Sequence, residues 1–222
     1  MTERRLNPNS PFFHEERHAP LAPFAGRPVT VCGAGALGGN LAETLARMGF
    51  ERLKVIDHDR VEGRNLSTQP YLRGEVGAPK ARALANTLYR AVGAKVEPAV
   101  VELTAANAAE LLRGGELVVD AFDNQAARAA VSAAARELDL PCLHVGFGAD
   151  GRYGSGVWEP GYQVPRDTLD DPCDYPLTRP LALMLAALAA RAIREHFAED
   201  RRLDFELTWE DLRITRWERS TD

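Results

Sequence analysis

The stretch VTVCGAGALGGNLAETLARMG, residues 29–49, reads as three pieces in succession. Val29 to Cys32 is a short, apolar, β-prone run, and Gly33, Gly35 and Gly38 space out the turn behind it. Leu37, Leu41, Leu45 and Met48 then recur on one helical face until Gly49 stops them. A strand, a glycine turn and a helix in that order let a backbone approach phosphate and aim a helix N-terminus at it. Leu53 to Ile56 predicts a second strand ending at Asp57, nineteen positions after Gly38. A carboxylate there can accept from both hydroxyls of a ribose, so an adenine nucleotide is the expected ligand.

Outward from that unit, Val61 to Val76 is polar and irregular, and Pro79 to Ala91 has helical periodicity. Val96 to Leu103 predicts a third strand, Ala105 to Arg113 a helix and Leu117 to Phe122 a fourth strand. An Ala-rich helix from Asn124 to Leu138 and a fifth strand from Cys142 to Val145 follow. Strands alternating with helices predict an α/β fold, a Rossmann-like, doubly wound and mainly parallel sheet. Beyond it come an extra strand (Arg152 to Trp158), a Pro- and Asp-rich loop (Gly161 to Pro180) and a buried helix (Leu181 to Phe197). A terminal hairpin pairs Phe205 to Trp209 with Leu212 to Trp217, giving an antiparallel C-terminal extension. Residues 1–28, with five prolines, read as an extended N-terminal arm or loop. Residues 29–222 read as a single nucleotide-binding domain, with a core over 29–150 and the extension over 151–222.

Hydrophobic residues make up 45% of the chain and charged residues 27%, which excludes a disordered tail, a collagen-like chain and a disulfide miniprotein. A net charge of −5 argues against nucleic acid or an anionic membrane as the partner. Cys32, Cys142 and Cys173 form no Cys-x-x-Cys pair, so neither a disulfide framework nor a zinc site is expected. Reduced cytoplasm is the expected compartment. Residues 1–17 lack the apolar segment of a secretory signal, and the longest apolar run, Leu181 to Ala190, is too short to span a bilayer.

Three further stretches narrow the ligand. DHDRVEGRNLSTQ (57–69) resembles, at matching spacing, the D-x-D-x-V-x-x-x-N-L-x-R-Q signature of the ThiF/MoeB family and the ubiquitin-activating enzymes. VGAPKARA (76–83) is similar to the family's lysine segment, and DAFDN (120–124) to its D-x-x-D-N. Close matches run from Val29 to Arg128, with a looser similarity through the last helix and hairpin. The resemblance implies an adenylation domain that binds ATP and Mg2+. It would activate the C-terminal carboxylate of a small ubiquitin-like or sulfur-carrier protein ending in Gly-Gly, or of a peptide, and release pyrophosphate. A homodimer or heteromer is implied as well.

By the same resemblance, Lys80 and Asp123 are the catalytic residues, Asp123 holding magnesium. Gly33, Gly35, Gly38, Asp57, Asp59, Asn65, Gln69, Lys80 and Asn124 bind the nucleotide. The chemistry suits these residue types. A C-terminal carboxylate is already an ionised nucleophile, so adenylation needs charge neutralisation and positioning rather than a base. Lys80 can supply a point charge, and Asn65 and Gln69 offer amide donors. Each residue has a plainer reading too: Asp123, with Asn124 beside it, as a helix N-cap, Asp59 as a turn residue, Lys80 as an exposed helix lysine.

The sequence departs from the pattern in two places. Thr68 stands where the family carries arginine; its hydroxyl can donate one hydrogen bond but brings no charge, so Thr68, Arg64 and Arg73 are the candidate phosphate contacts. Cys173 is a candidate thiol in the loop before the last helix, although Asp171 and Asp174 beside it would raise its pKa. Two alternatives follow within the family, a catalytically silent nucleotide-binding scaffold subunit and an ATP-dependent tRNA-modifying enzyme. A nicotinamide-dependent oxidoreductase would share the glycine turn but leave Asn65, Lys80 and Asp123 unexplained.

Overall fold

The structure, a computed structural model, describes residues 6–166 and 176–218. One eight-stranded sheet runs through it in the order β3-β2-β1-β4-β5-β6-β7-β8. The strands are β1 (Val29–Cys32), β2 (Leu53–Ile56), β3 (Glu97–Ala99), β4 (Leu117–Asp120), β5 (Cys142–Phe147), β6 (Tyr153–Trp158), β7 (Asp204–Thr208) and β8 (Ile214–Trp217). The first five are parallel, with Val31 level with Val55 on one side and Val119 on the other, and the last three are antiparallel. The expected mixed α/β sheet with its antiparallel extension is the fold observed.

Six α-helices accompany the sheet among the described residues: α1 (Phe13–His18), α2 (Ala36–Arg47), α3 (Lys80–Val92), α4 (Ala108–Leu112), α5 (Gln125–Glu137) and α6 (Arg179–Glu199). Strand alternation sorts side chains between two cores. Val29, Val31, Leu117, Val119, Leu143 and Val145 meet α2, α3 and α6 in the larger core, while Cys32, Ile56, Val118 and Cys142 meet α4 and α5 in the smaller one. Helices on both faces bury the parallel strands, whose fully apolar runs such as LVV at 117–119 follow from that burial.

The structure differs from the sequence expectations in three segments. The third strand is three residues long, because Pro98 removes a ladder donor and Glu97 faces solvent on this edge strand. The helix after it starts late: the Asn107 amide accepts from the Thr104 N–H and donates to the Glu102 carbonyl, folding 102–107 into a turn. The N-terminal segment is not uniformly extended. Phe13–His18 makes a short helix, and Phe24 is buried with its ring stacked on Phe50, 4.6 Å between centroids.

β1 hydrogen-bonds to β2 on one side and β4 on the other, so the chain reverses its direction of travel across the sheet at β1. In open α/β sheets a crevice forms at the carboxyl ends of the strands flanking such a switch point.

Candidate functional site

A cleft of about 260 Å³ opens at that switch point. Its walls are the segments that follow four parallel strands: Gly33 and Gly35 after β1, Asp57 to Asp59 after β2, Glu102 to Ala105 after β3, and Ala121 to Asn124 after β4. Lys80, at the start of α3, and Ala126 and Ala127 of α5 complete it.

The three glycines divide the work. Gly33 has φ +95°, and a Cβ there would lie 2.9 Å from the Ala121 carbonyl oxygen. A Cβ on Gly38 would lie 2.0 Å from the Gly33 carbonyl oxygen, so Gly38 lets α2 close on the turn, outside the cleft lining. Gly35, the N-cap of α2, faces open space, where a side chain would occupy the volume of a ligand. From behind, the buried Tyr71 hydroxyl donates to the Ala34 carbonyl at 2.7 Å.

Asp57 is buried beside this turn. One carboxylate oxygen accepts the Ala34 N–H and the other the Asp59 N–H, each at 2.7 Å, which ties the second strand to the glycine turn. Burial pushes its carboxyl up, opposed by the Lys80 charge and the two backbone donors. Each oxygen keeps a second lone pair for a ribose hydroxyl. Lys80 is buried and sends Nζ to Asp59 Oδ2 at 2.9 Å, while its backbone N–H donates to the Asp59 carbonyl at 2.8 Å. It is therefore no loose surface lysine, and a phosphate would compete with Asp59 for it. His58 lines the same wall, exposed, with Nε2 3.4 Å from Asp59 Oδ1.

On the opposite wall the α5 N-cap is Asn124, whose Oδ1 accepts the Ala127 N–H at 2.9 Å. Asp123, one residue earlier, is thus relieved of capping. It lies exposed in the cleft with no side-chain hydrogen bond or ion pair among the described residues. An exposed carboxylate facing a phosphate cradle is a suitable hard-oxygen ligand for magnesium. Asp57, His58 and Asp59 also bring three potential ligand atoms within 4.8 Å of one another, but the two carboxylates there already serve backbone N–H groups and Lys80.

The structure thus gathers Gly33, Gly35, Asp57, Asp59, Lys80, Asp123 and Asn124 around one cleft. Asn65 and Gln69 stand apart from its lining, both buried in the crossover segment. Asn65 Oδ1 accepts the Glu62 N–H at 2.8 Å and builds the local turn; Gln69 Oε1 has no hydrogen-bond partner among the described residues. Thr68 is held through its carbonyl by Asn40 at 2.8 Å. Arg64 is paired with Glu62 at 2.7 Å, and Arg73 is exposed away from the cleft lining. Cys173 lies outside the described residues. Sequence reasoning missed the Glu102–Ala105 wall, which carries no motif, and Phe122, an unspecified position of DAFDN; outside the cleft lining, Arg179 Nη1 reaches the Gln69 carbonyl at 3.3 Å across 110 positions of chain.

The sequence profile of the ThiF family matches residues 25–207. The chain belongs to the ThiF family. Among curated relatives, it is 35% identical over 143 residues to the sulfur carrier protein ThiS adenylyltransferase of Bacillus subtilis, covering 60% of this chain and 42% of that protein. It is 42% identical over 124 residues to the sulfur carrier protein adenylyltransferase of Thermus thermophilus, covering 54% and 44%. The chain thus spans less than half the length of these relatives. Among solved structures, MccB of E. coli with AMPCPP and MccA superposes with a TM-score of 0.80 at 15% identity, over 96% of this chain and 72% of that one, a likeness of fold. No helix among the described residues is long and apolar enough to cross a membrane.

Proposed function

We propose that the cleft binds ATP with Mg2+ and that the chain adenylates the C-terminal carboxylate of a small ubiquitin-like or sulfur-carrier protein, or of a peptide. The observation that carries this reading is the division of labour at the β4–α5 corner. Asn124 takes the capping role, which leaves Asp123 as an uncommitted carboxylate across the cleft from Lys80 and the glycine turn. The names of the two relatives support the class of reaction and of partner.

In the reaction proposed, a carboxylate oxygen of the carrier attacks the α-phosphorus, the bond to the β-phosphate breaks, and pyrophosphate leaves with that electron pair. The nucleophile is already ionised, so no general base is required. The N-terminus of α2 and the Gly33–Gly35 backbone receive the phosphates, Asp57 holds the ribose, and Lys80 exchanges Asp59 for phosphate oxygens to offset their charge. Asp123 would hold Mg2+, which when bound neutralises and orients the phosphate chain.

The test is exchange of labelled pyrophosphate into ATP, with small sulfur-carrier proteins ending in Gly-Gly supplied in turn, alongside a thermal shift. ATP–Mg at a hundredfold over its Kd should stabilise the protein by about 2.7 kcal/mol. That stabilisation should disappear in Asp123→Ala and Lys80→Ala. Stabilisation without exchange would favour a second reading, a nucleotide-binding scaffold subunit, which the uncharged Thr68 supports. Stabilisation by NAD alone would overturn the adenylation reading.

A further inference from the structure

Directly behind the Asp123 corner lies a group of buried charges that nucleotide binding does not use. Asp120, the last residue of β4, and His144 of β5 are fully buried, and Arg128 of α5 and Glu159 after β6 nearly so. His144 Nδ1 lies 2.8 Å from Asp120 Oδ2, and its Nε2 lies 3.1 Å from Glu159 Oε1. The other Asp120 oxygen accepts the Phe122 N–H at 3.1 Å, which shapes the turn immediately before Asp123.

The surrounding elements close the group from every side. From α5, Ser132 Oγ donates to Glu159 Oε1 at 2.5 Å, Arg136 Nε to Glu159 Oε2 at 3.0 Å, and Arg128 Nη1 stands 3.6 Å from Asp120 Oδ2. Arg128 also donates to the Tyr162 hydroxyl and the Val145 carbonyl, each at 2.9 Å, and the Tyr162 ring stacks flat on His144 at 3.6 Å. Cys142, two positions back on the same strand, is a neutral buried thiol raised by burial and by Asp120.

A neutral imidazole has one N–H and one lone pair, so it cannot donate to two carboxylates at once. Two contacts with carboxylates therefore call for the imidazolium, or for a proton on one carboxyl. Burial opposes the carboxylate form of Glu159, yet bonds from His144, Ser132 and Arg136 hold it down at about 2, so the proton is not on Glu159. Burial would likewise lower the His144 pKa, but its bonds to Asp120 and Glu159 outweigh that and raise it. With the ring charged, Asp120 and Glu159 face three cations, His144, Arg128 and the exposed Arg136. Once the ring is neutral, one of its two carboxylate contacts must break.

We propose that His144, as the imidazolium between Asp120 and Glu159, is a positioning residue for Asp123. It fixes the Asp120 carboxylate that shapes the β4–α5 turn, and so sets the affinity of the cleft for magnesium-bound nucleotide. The inference rests on the ATP–Mg reading of the cleft and extends it to a group that touches no ligand. Residues that orient a metal ligand typically change metal affinity by about 10-fold to 100-fold when replaced.

The experiment measures ATP affinity by calorimetry, with excess Mg2+ and with chelator, across the pH range in which the His144 ring titrates by 15N NMR. In wild type the magnesium-dependent gain in affinity should fall at least about tenfold as the ring loses its proton, with affinity in chelator unchanged at that step. His144→Gln should show the low gain at every pH and no such step. Glu159→Gln, which removes one charged partner and keeps most of the packing, should move the ring midpoint and the affinity step together to lower pH. That variant and wild type decide the matter if His144→Gln does not fold. A step that stays put while the ring midpoint moves, or a magnesium gain indifferent to ring protonation, overturns the positioning role and leaves the nucleotide reading standing. Absence of ATP binding in wild type at any pH overturns both.

Discussion

Two glycines three positions apart make opposite demands on the glycine turn. A Cβ on Gly38 would sit 2.0 Å from a backbone oxygen of Gly33, which cannot swing away as a side chain could. Gly38→Ala should therefore destabilise the fold by about 1–3 kcal/mol, read as a lowered urea midpoint with an unchanged slope. Gly35→Ala meets nothing within 4 Å and has φ −76°, so its stability should stay within about 0.5 kcal/mol of wild type while ATP affinity falls. Equal loss of stability in both variants would contradict this division. The β4–α5 corner makes a matching pair. Asn124→Ala removes the bond to the Ala127 N–H and should cost about 1 kcal/mol of stability. Asp123→Asn removes no cap and should leave the melting temperature of the ligand-free protein unchanged, abolishing only the magnesium-dependent part of the ATP shift. If Asp123→Asn melts early without ligand, the corner is structural and the metal assignment fails.

Among the elements, the join between the parallel and antiparallel halves of the sheet is tightly fitted. β6 carries glycine at 154 and 156 where it faces α6 and β7: a Cβ on Gly154 would meet the Leu185 side chain at 2.7 Å, and one on Gly156 the Phe205 ring at 2.2 Å. Gly156→Ala should be destabilising, and Phe205→Leu should return part of the loss, a coupling between the two sites on the order of 1 kcal/mol in a double-mutant cycle. Strict additivity would show that the strand shifts instead of the ring. The long-range pairing of these elements explains what the sequence did and did not disclose. The strands β1, β2, β4 and β5 and the helices α2, α3 and α5 were legible within a residue or two, because a local period of two or 3.6 and their glycine stops decide them. The third strand and the helix after it were read too long, because the Pro98 edge position and the Asn107 turn depend on neighbours. Of the cleft lining, Gly33 and Asp57 follow from spacing, and Lys80 and Asp123 from the family resemblance. That Asn124 rather than Asp123 caps α5, and that Asp120 and His144 form a charged pair behind the corner, depend on a rotamer and a strand register that no spacing encodes.

For the molecule as a whole, the buried titratable groups set limits on stability from both sides of neutrality. His196 is pushed down to about 4, by burial first and then by the Arg202 charge 3.4 Å away. The unfolded chain takes up that proton near the ordinary value of 6.5, so its contribution is present above pH 6.5 and lost as pH falls toward 4. Glu159, at about 2, and Glu195, lowered by Arg216 and Arg191 against the effect of burial, act in the same sense further down. Their contributions are present above the ordinary 4.5 and lost below it. Asp57 has the reverse sign among the carboxylates: burial raises it, so its protonation at low pH returns a little of what the others lose. At high pH the buried Cys32 and Cys142 thiols and the Tyr71 phenol, all raised by burial, act against stability; at lower pH the alkaline side belongs to His144. Its folded value lies above 6.5, so its contribution is full below pH 6.5 and lost as pH rises through the folded value. Urea midpoints measured against pH should therefore form a dome, with an acid limb that begins near pH 6 and an alkaline limb that begins above pH 6.5. His196→Gln should flatten the upper part of the acid limb and leave the alkaline limb in place. His144→Gln, where it folds, should remove the part of the alkaline limb that lies below the ordinary thiol value of 9.0, at the expense of the maximum. An acid limb unchanged in His196→Gln would mean that the carboxylates alone carry it, and that the Trp158–His196–Arg202 contact contributes nothing that depends on the proton.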